Sequence, residues 1–246
     1  HAALAAEGQP SVEPDTPTPA PTEATLPMTI SASDGTVLQA RYYTALSGPA
    51  PAVLLIHQAG GNQQDWEPLV PALHGAGYAV LTLDLRGHGS SGGLPEWAQM
   101  PGDVQAALRQ LSELPSVDPS RIVTIGASVG ANLALNACAD LVGCAATVAL
   151  SPGLDYYGLA TAPAIPRLRD RPLLIAASEN DNNNPADSMM LDSLATSDHQ
   201  LIVYPAAGHG TQMLAAQPEL AARIVEWLVA RVPPPGVAAT PAPGAP

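Results

Sequence analysis

The chain has 246 residues, 46% of them hydrophobic, which suits one large domain with a buried core and excludes a disordered middle. Its net charge is −13, with nine arginines, no lysine and no phenylalanine. So acidic a chain lacks the basic patches that nucleic acid and anionic membrane surfaces require, and it disfavours polyanionic substrates.

Residues 1–26 are rich in Pro, Thr, Ala and Glu without periodicity, and they read as a disordered linker. Residues 233–246 form a similar Pro/Ala-rich tail, leaving 27–232 as the folded domain. Tethers of this kind suit secreted or envelope-tethered enzymes, so an extracytoplasmic location is expected, with the cytoplasm still open. No apolar run reaches the roughly 18 residues of a spanning helix, so no transmembrane segment is expected.

Within the domain, residues 28–33 and 37–44 flank an Asp34-Gly35 turn and predict a hairpin. Residues 51–57 and 79–84 are continuous apolar runs, as strands buried on both faces require. Helical patterns cover 66–76 and 100–114, the latter with Val104, Ala107, Leu108 and Leu111 on one side. Strands follow at 121–125, 145–150, 172–177 and 200–204, with helices at 131–139, 186–195 and 213–231. The alternation predicts an α/β fold, an eight-stranded mostly parallel sheet with helices on both faces. Such sheets place their chemistry at the carboxyl ends of strands, so candidate residues belong just after one.

The central stretch is Arg121-Ile-Val-Thr-Ile-Gly-Ala-Ser-Val-Gly130. Strand, Gly-x-Ser-x-Gly and helix together form the context of a nucleophile elbow. Gly126 and Gly130 remove side chains that would clash in so sharp a turn. Ser128 is therefore the candidate nucleophile. A serine hydroxyl needs a base within hydrogen-bond reach. Of the six histidines, His209 lies in Ala207-Gly-His-Gly210, between the last strand and the last helix. It is the candidate base. His57 opens a Gly-rich loop and His88 reads as a loop staple, while His1, His74 and His199 read as solvated. The base needs a carboxylate to hold its tautomer. Asp181, in the loop after the strand at 172–177, is the candidate, with Asp155 as the alternative. Glu179 and Asp187 are neighbours that could be mistaken for it. The Asn-rich loop 178–185 lacks the spacing of a calcium loop, so no metal is assigned. An oxyanion needs backbone donors, for which the Val129 N–H and the loop 57–62 are the candidates, with Ala59 first and Gln58 second. Trp97, Tyr156 and Tyr157 are candidate rim residues for substrate. Cys138 and Cys144 are spaced for a disulfide across a helix-to-strand loop, or are two buried thiols.

Three stretches carry a resemblance to the α/β-hydrolase family. His57-Gln-Ala-Gly-Gly-Asn-Gln-Gln-Asp-Trp66 resembles its oxyanion loop. Asp84-Leu-Arg-Gly-His-Gly-Ser-Ser91 is similar to its D-x-R-G-x-G-x-S loop. Asp118-Pro-Ser-Arg-Ile-Val-Thr-Ile-Gly-Ala-Ser128 resembles the elbow of the dienelactone hydrolase and small carboxylesterase branch. The likeness covers roughly residues 30–232. It implies an eight-stranded sheet and a Ser128–His209–Asp181 triad, with no cofactor. Two departures stand out. Many members have His-Gly where this chain has His57-Gln58, and serine replaces the dienelactone hydrolase cysteine, favouring ordinary esters. Residues 152–171 are too few for a lid domain and predict one short helix around 155–159. The expectation is a capless serine esterase acting on small or surface-presented esters. Peptidase, thioesterase or perhydrolase chemistry on the same triad is the first rival, and a non-catalytic ligand-binding hydrolase fold the second.

Overall fold

The structure is a computed structural model that describes residues 25–182 and 184–237. Most of the expected linker 1–26 and the tail beyond Val237 lie outside the described residues. β1 (Thr25–Ser31) starts slightly before the expected domain boundary and pairs antiparallel with β2 (Val37–Tyr43), with Ile30 opposite Leu38. Between them, Asp34 Oδ1 accepts the Thr36 N–H at 2.9 Å and Gly35 takes φ +85°. β3 (Ala50–Ile56) is buried throughout, as its continuous apolar run requires.

The helix expected over 66–76 is shorter than its pattern. A 3₁₀ turn occupies Gln63–Trp66, and α1 spans only Val70–Gly75. Pro68 and Pro71 are the reason: neither has an N–H to give, so the helix must start beside them. Then come β4 (Ala79–Leu83), α2 (Met100–Ser112), β5 (Val117–Ala127), α3 (Val129–Asp140) and β6 (Cys144–Leu150).

The segment after β6 corrects the expected helix at 155–159. Asp155–Tyr156 (β7) and Leu159–Ala160 (β8) form a two-residue hairpin instead. Tyr157 at φ +57° and Gly158 at φ +83° make a turn with two successive left-handed residues, which closes a hairpin and breaks a helix. Asp155 Oδ1 accepts the Gly158 N–H at 2.8 Å and fixes that turn. The helix of this segment is α4 (Ile165–Leu168), further along. Among the described residues there is no separate lid domain.

β9 (Leu173–Ser178), α5 (Asn184–Leu194) and β10 (His199–Tyr204) complete the sheet. The last helix is two helices, α6 (Gln212–Ala216) and α7 (Glu219–Arg231), because Pro218 cannot continue the first and instead caps the second.

The eight strands lie in the order β1-β2-β4-β3-β5-β6-β9-β10, with β2 antiparallel to both β1 and β4 and the rest parallel. Alternate residues feed opposite layers. Val53 and Leu55 pack toward Trp66, Leu73, Trp227 and Leu228, while Leu54 and Ile56 pack toward Val104, Leu108 and Leu133. β3 lies between β4 and β5: the chain runs from β3 to β4 on one side and then crosses to β5 on the other. That divergence opens a crevice at the carboxyl ends of β3 and β5, where the Gly-rich loop and Ser128 meet. His74 departs from the solvated reading. It is 3% exposed, and its Nε2 lies 2.8 Å from the Thr44 carbonyl oxygen.

Cys138 and Cys144 are disulfide-bonded, with Cα atoms 5.2 Å apart, and tie the end of α3 to the start of β6. We expect non-reducing mass spectrometry to show the protein lighter by two hydrogens than its reduced form. The Cys138→Ser/Cys144→Ser double variant should be less stable by about 2 kcal/mol, the chain-entropy value for so short a loop. Full thiol titration of the native protein would contradict the pairing.

Candidate active site

The site begins where β5 ends. Gly126 pairs with Ile56 of β3, and Ala127 with Leu150 of β6, so the next residue emerges between three strand ends. That residue, Ser128, sits at φ +55° and ψ −124°, a conformation that side chains rarely adopt. Its N–H donates to the Leu150 carbonyl at 2.8 Å, and its carbonyl accepts the N–H of Ala131 at 2.8 Å, opening α3. A β-carbon on Gly126 would strike the Gly130 carbonyl, and one on Gly130 would strike the carbonyls of Ile56 and His57. Both glycines are thus required by close backbone approach. Ser128 is 7% exposed. Val129 is the first residue of α3, so its N–H has no intrahelical acceptor.

The loop after β3 faces this turn. His57 is fully buried, with its Nε2 accepting the Leu85 N–H at 3.0 Å and its Nδ1 lying 2.7 Å from the Gln58 carbonyl oxygen. A nitrogen that accepts a backbone N–H carries no proton, so the ring is the neutral tautomer that donates from Nδ1. Burial holds its pKa below the usual histidine range. His57 therefore holds the loop and has no free nitrogen for another task. Asp84, at the end of β4, accepts the Gln63 N–H at 2.7 Å, the Gln63 side-chain amide at 3.0 Å and the Ser90 N–H at 2.9 Å. It fastens the loops after β3 and β4 together. Arg86 adds a buried pair with Asp103 at 2.5 and 2.6 Å. The N–H groups of Ala59 and Gln58 have no acceptor among the described residues.

His209 lies on the loop after β10, and its Nδ1 is 2.7 Å from Asp181 Oδ2 on the loop after β9. Asp181 is 8% exposed while the imidazole is 36% exposed, so the pair is buried on the carboxylate side and open on the ring side. Asp155, the alternative acid, is spent in the β7–β8 turn. Asp187 accepts the Leu154 N–H at 3.0 Å, and Glu179 is exposed.

The His209 loop is held by an unusual set of acceptors. Ala207 N–H donates to Ser178 Oγ at 2.7 Å, and Gly208 N–H to Asn180 Oδ1 at 3.1 Å. His209 N–H donates to Gln212 Oε1 at 3.2 Å, and Gly210 N–H to Ser151 Oγ at 2.9 Å. Thr211 N–H donates to Gln58 Oε1 at 2.9 Å, and the Thr211 hydroxyl to the same oxygen at 3.2 Å. The side chain that replaces the common glycine at position 58 thus ties the Gly-rich loop to the histidine loop. Gly210, at φ +58°, leaves room for it, because a β-carbon there would strike Gln58 Oε1.

Tyr156 stands edge-on to His209 with ring centroids 6.4 Å apart. Trp97 and Tyr157 do not flank a gap; they stack on each other at 4.2 Å and join the loop before α2 to the β7–β8 turn. His88 sits between Trp97 and His57 as a staple, its Nδ1 2.9 Å from the Arg86 carbonyl oxygen. His199 lies at the exposed start of β10.

Sequence reasoning passed over Ser151, Ser178, Asn180 and Asn132. Asn132, fully buried in α3, donates to the Leu159 carbonyl at 2.7 Å and accepts the Gly153 N–H at 3.1 Å, anchoring the β7–β8 hairpin. A signal existed: Ser151 and Ser178 are the first polar residues after apolar runs, at the strand ends where the chemistry was expected.

The alpha/beta hydrolase fold family matches residues 51–170. The Mycobacterium tuberculosis protein Rv2307c, itself uncharacterized, is 31% identical over 204 residues, covering 73% of this chain and 70% of its own. The chain belongs to the α/β-hydrolase family. Among solved structures, the Pyrococcus furiosus esterase Pf2001 superposes with a TM-score of 0.72 at 19% identity, over 85% of this chain and 94% of its own. Est1E from Butyrivibrio proteoclasticus, with ferulic acid bound, gives 0.71 at 19% identity over 83% and 99%. At such identities the likeness is one of fold.

We expect Gln58→Leu, which matches the shape and removes the acceptor, to destabilise the protein by about 1–3 kcal/mol. It should also speed hydrogen exchange at the Thr211 amide. Unchanged protection at that amide would show that the staple carries no weight.

Proposed function

We propose that this chain is a serine hydrolase that cleaves carboxylic esters. The observation that carries the reading is the 2.7 Å contact of His209 Nδ1 with the buried Asp181, on a loop whose Gly210 lies against Ala127, the residue before a serine on a strained strand-to-helix turn. Asp181 fixes the tautomer that leaves Nε2 unprotonated, and His209 takes the Ser128 proton as the hydroxyl attacks the ester carbonyl. Donors at Val129 and Ala59, with Gln58 as the other amide of that loop, stabilise the oxyanion. Collapse of the tetrahedral species breaks the bond to the alcohol oxygen, which takes the proton from His209 and leaves. Water then attacks the acyl-serine by the same route, releasing the acid and restoring Ser128.

Esters rather than other acyl compounds are favoured by the company the fold keeps, since Pf2001 is an esterase by name. A short hairpin in place of a lid leaves the ring side of His209 open, which suits small or surface-presented esters. The disulfide supports an extracytoplasmic location, because such bonds are rare in reducing compartments. No helix among the described residues is long and apolar enough to cross a membrane.

The test is hydrolysis of p-nitrophenyl esters from acetate to dodecanoate. Wild type should turn over at least the short esters, and Ser128→Ala none, at an unchanged melting temperature. Asp181→Asn should lower kcat by about 10²–10⁴-fold. Asp155→Asn should leave kcat near wild type, because an amide oxygen still accepts the Gly158 N–H. Serine-independent turnover would overturn the mechanism, and equal loss in both aspartate variants would overturn the assignment of the acid. No turnover by folded wild type would move the reading to amide or thioester substrates.

A further inference from the structure

We propose that the recess beside His209 binds the alcohol portion of the ester and is built for a polyol, an inference that rests on the ester-hydrolase reading above. The recess has a volume of about 450 Å³ and is lined by Tyr156, Asp181, Asn182, Asn184, Asp187 and His209. During hydrolysis the imidazole returns its proton to the leaving oxygen, so the rest of the alcohol lies on the His209 side of the breaking bond. The recess adjoins that imidazole. His209 and Asp181 form one wall, and neither Ser128 nor Ala59 lines any of it.

The wall presents donors and acceptors together. Asp181 uses Oδ2 on His209, and Asp187 uses Oδ2 on the Leu154 N–H, which leaves Oδ1 of each without a donor among the described residues. Asn184 is saturated. Its amide donates to the Pro152 carbonyl at 2.7 Å and to the Tyr156 oxygen at 3.5 Å, and its own oxygen accepts the Ser188 hydroxyl at 3.4 Å. Because the Tyr156 oxygen accepts that bond, the phenol proton remains to be donated into the recess. Asn182 adds an amide that has no partner among the described residues. Among the described residues no arginine and no aliphatic side chain lines the recess, and the chain has no lysine.

Such a wall discriminates by chemistry. A hydroxyl both donates and accepts, so a polyol satisfies the carboxylate oxygens and the phenol and amide hydrogens at once. An alkyl alcohol would strip water from these groups and return nothing. An alkylammonium would serve only the acceptors, and a carboxylate or phosphate would meet the charges of Asp181 and Asp187. The volume is ample for one sugar-sized ring.

The experiment compares kcat/KM on matched acetates. Glucose acetylated on its primary hydroxyl is set against cyclohexylmethyl acetate, which has a ring of similar size at the same attachment and no hydroxyls. Choline acetate is set against 3,3-dimethylbutyl acetate, which differs by charge alone. Wild type should favour the sugar ester over its apolar match by about tenfold or more, the value of one hydrogen bond to a charged group. Asp187→Asn keeps an oxygen for the Leu154 N–H and removes the charge; Tyr156→Phe removes the phenol donor. Each should lower the sugar preference severalfold, and a ratio of rates on one preparation does not depend on how much of it is folded. A wild-type ratio at or below one, or a ratio unmoved in both variants, would overturn the proposal. So would a choline preference without a sugar preference, which would assign the wall to charge rather than to hydroxyls. Turnover of p-nitrophenyl esters with a flat alcohol series sinks this inference alone. No turnover of any ester sinks the ester-hydrolase reading and this inference with it.

Discussion

The constraint on which the site depends is the fastening of one short loop. Five successive backbone N–H groups, from Ala207 to Thr211, each donate to a side-chain oxygen. The acceptors come from the ends of β3, β6 and β9 and from α6, so the histidine loop is positioned by the sheet itself. A loop after the outermost strand would otherwise be among the more mobile parts of the molecule. Here its N–H groups are satisfied by Gln58, Ser151, Ser178, Asn180 and Gln212, and the imidazole is aimed by the geometry of neighbouring strands. Each acceptor also binds its own loop to the histidine loop, so the loops after β3, β6, β9 and β10 form one connected network. Removing one member leaves a donor without its partner, and the cost spreads to the rest.

Much of this was legible in the sequence. Continuous apolar runs mark strands buried on both faces, and they predicted the sheet with small errors at strand ends. The elbow was legible because Gly126 and Gly130 have no alternative: backbone approach excludes any side chain there. His209 and Asp181 could be selected by their positions after successive strands, and the structure brings them into contact. The failures have physical causes. Prolines 68, 71 and 218 shortened or split helices whose apolar periodicity ran on past them. The Tyr157-Gly158 turn depends on a left-handed tyrosine, which no local pattern announces. The Gln58 side chain has a tie of another kind: its oxygen accepts from Thr211, far along the chain. Long-range side-chain acceptors of that kind have no periodicity, so a single sequence does not display them.

The segment 152–171 shows how a short insertion sets the character of a site. Asn132 and Asn136 of α3 hold the β7–β8 hairpin through the carbonyls of Leu159 and Ala160. The hairpin in turn places Tyr156 beside His209 and Tyr157 on Trp97. The Tyr156 ring therefore stands nearly perpendicular to the imidazole, which is 36% exposed. The result, among the described residues, is a site whose walls are polar near His209 and which no lid domain covers.

The most direct test of this account is to label the folded protein with a fluorophosphonate and map the adduct by peptide mass spectrometry. A single adduct should form on Ser128 and fail to form in His209→Ala. An adduct elsewhere, or labelling of Ser128 that does not depend on His209, would contradict the arrangement proposed here.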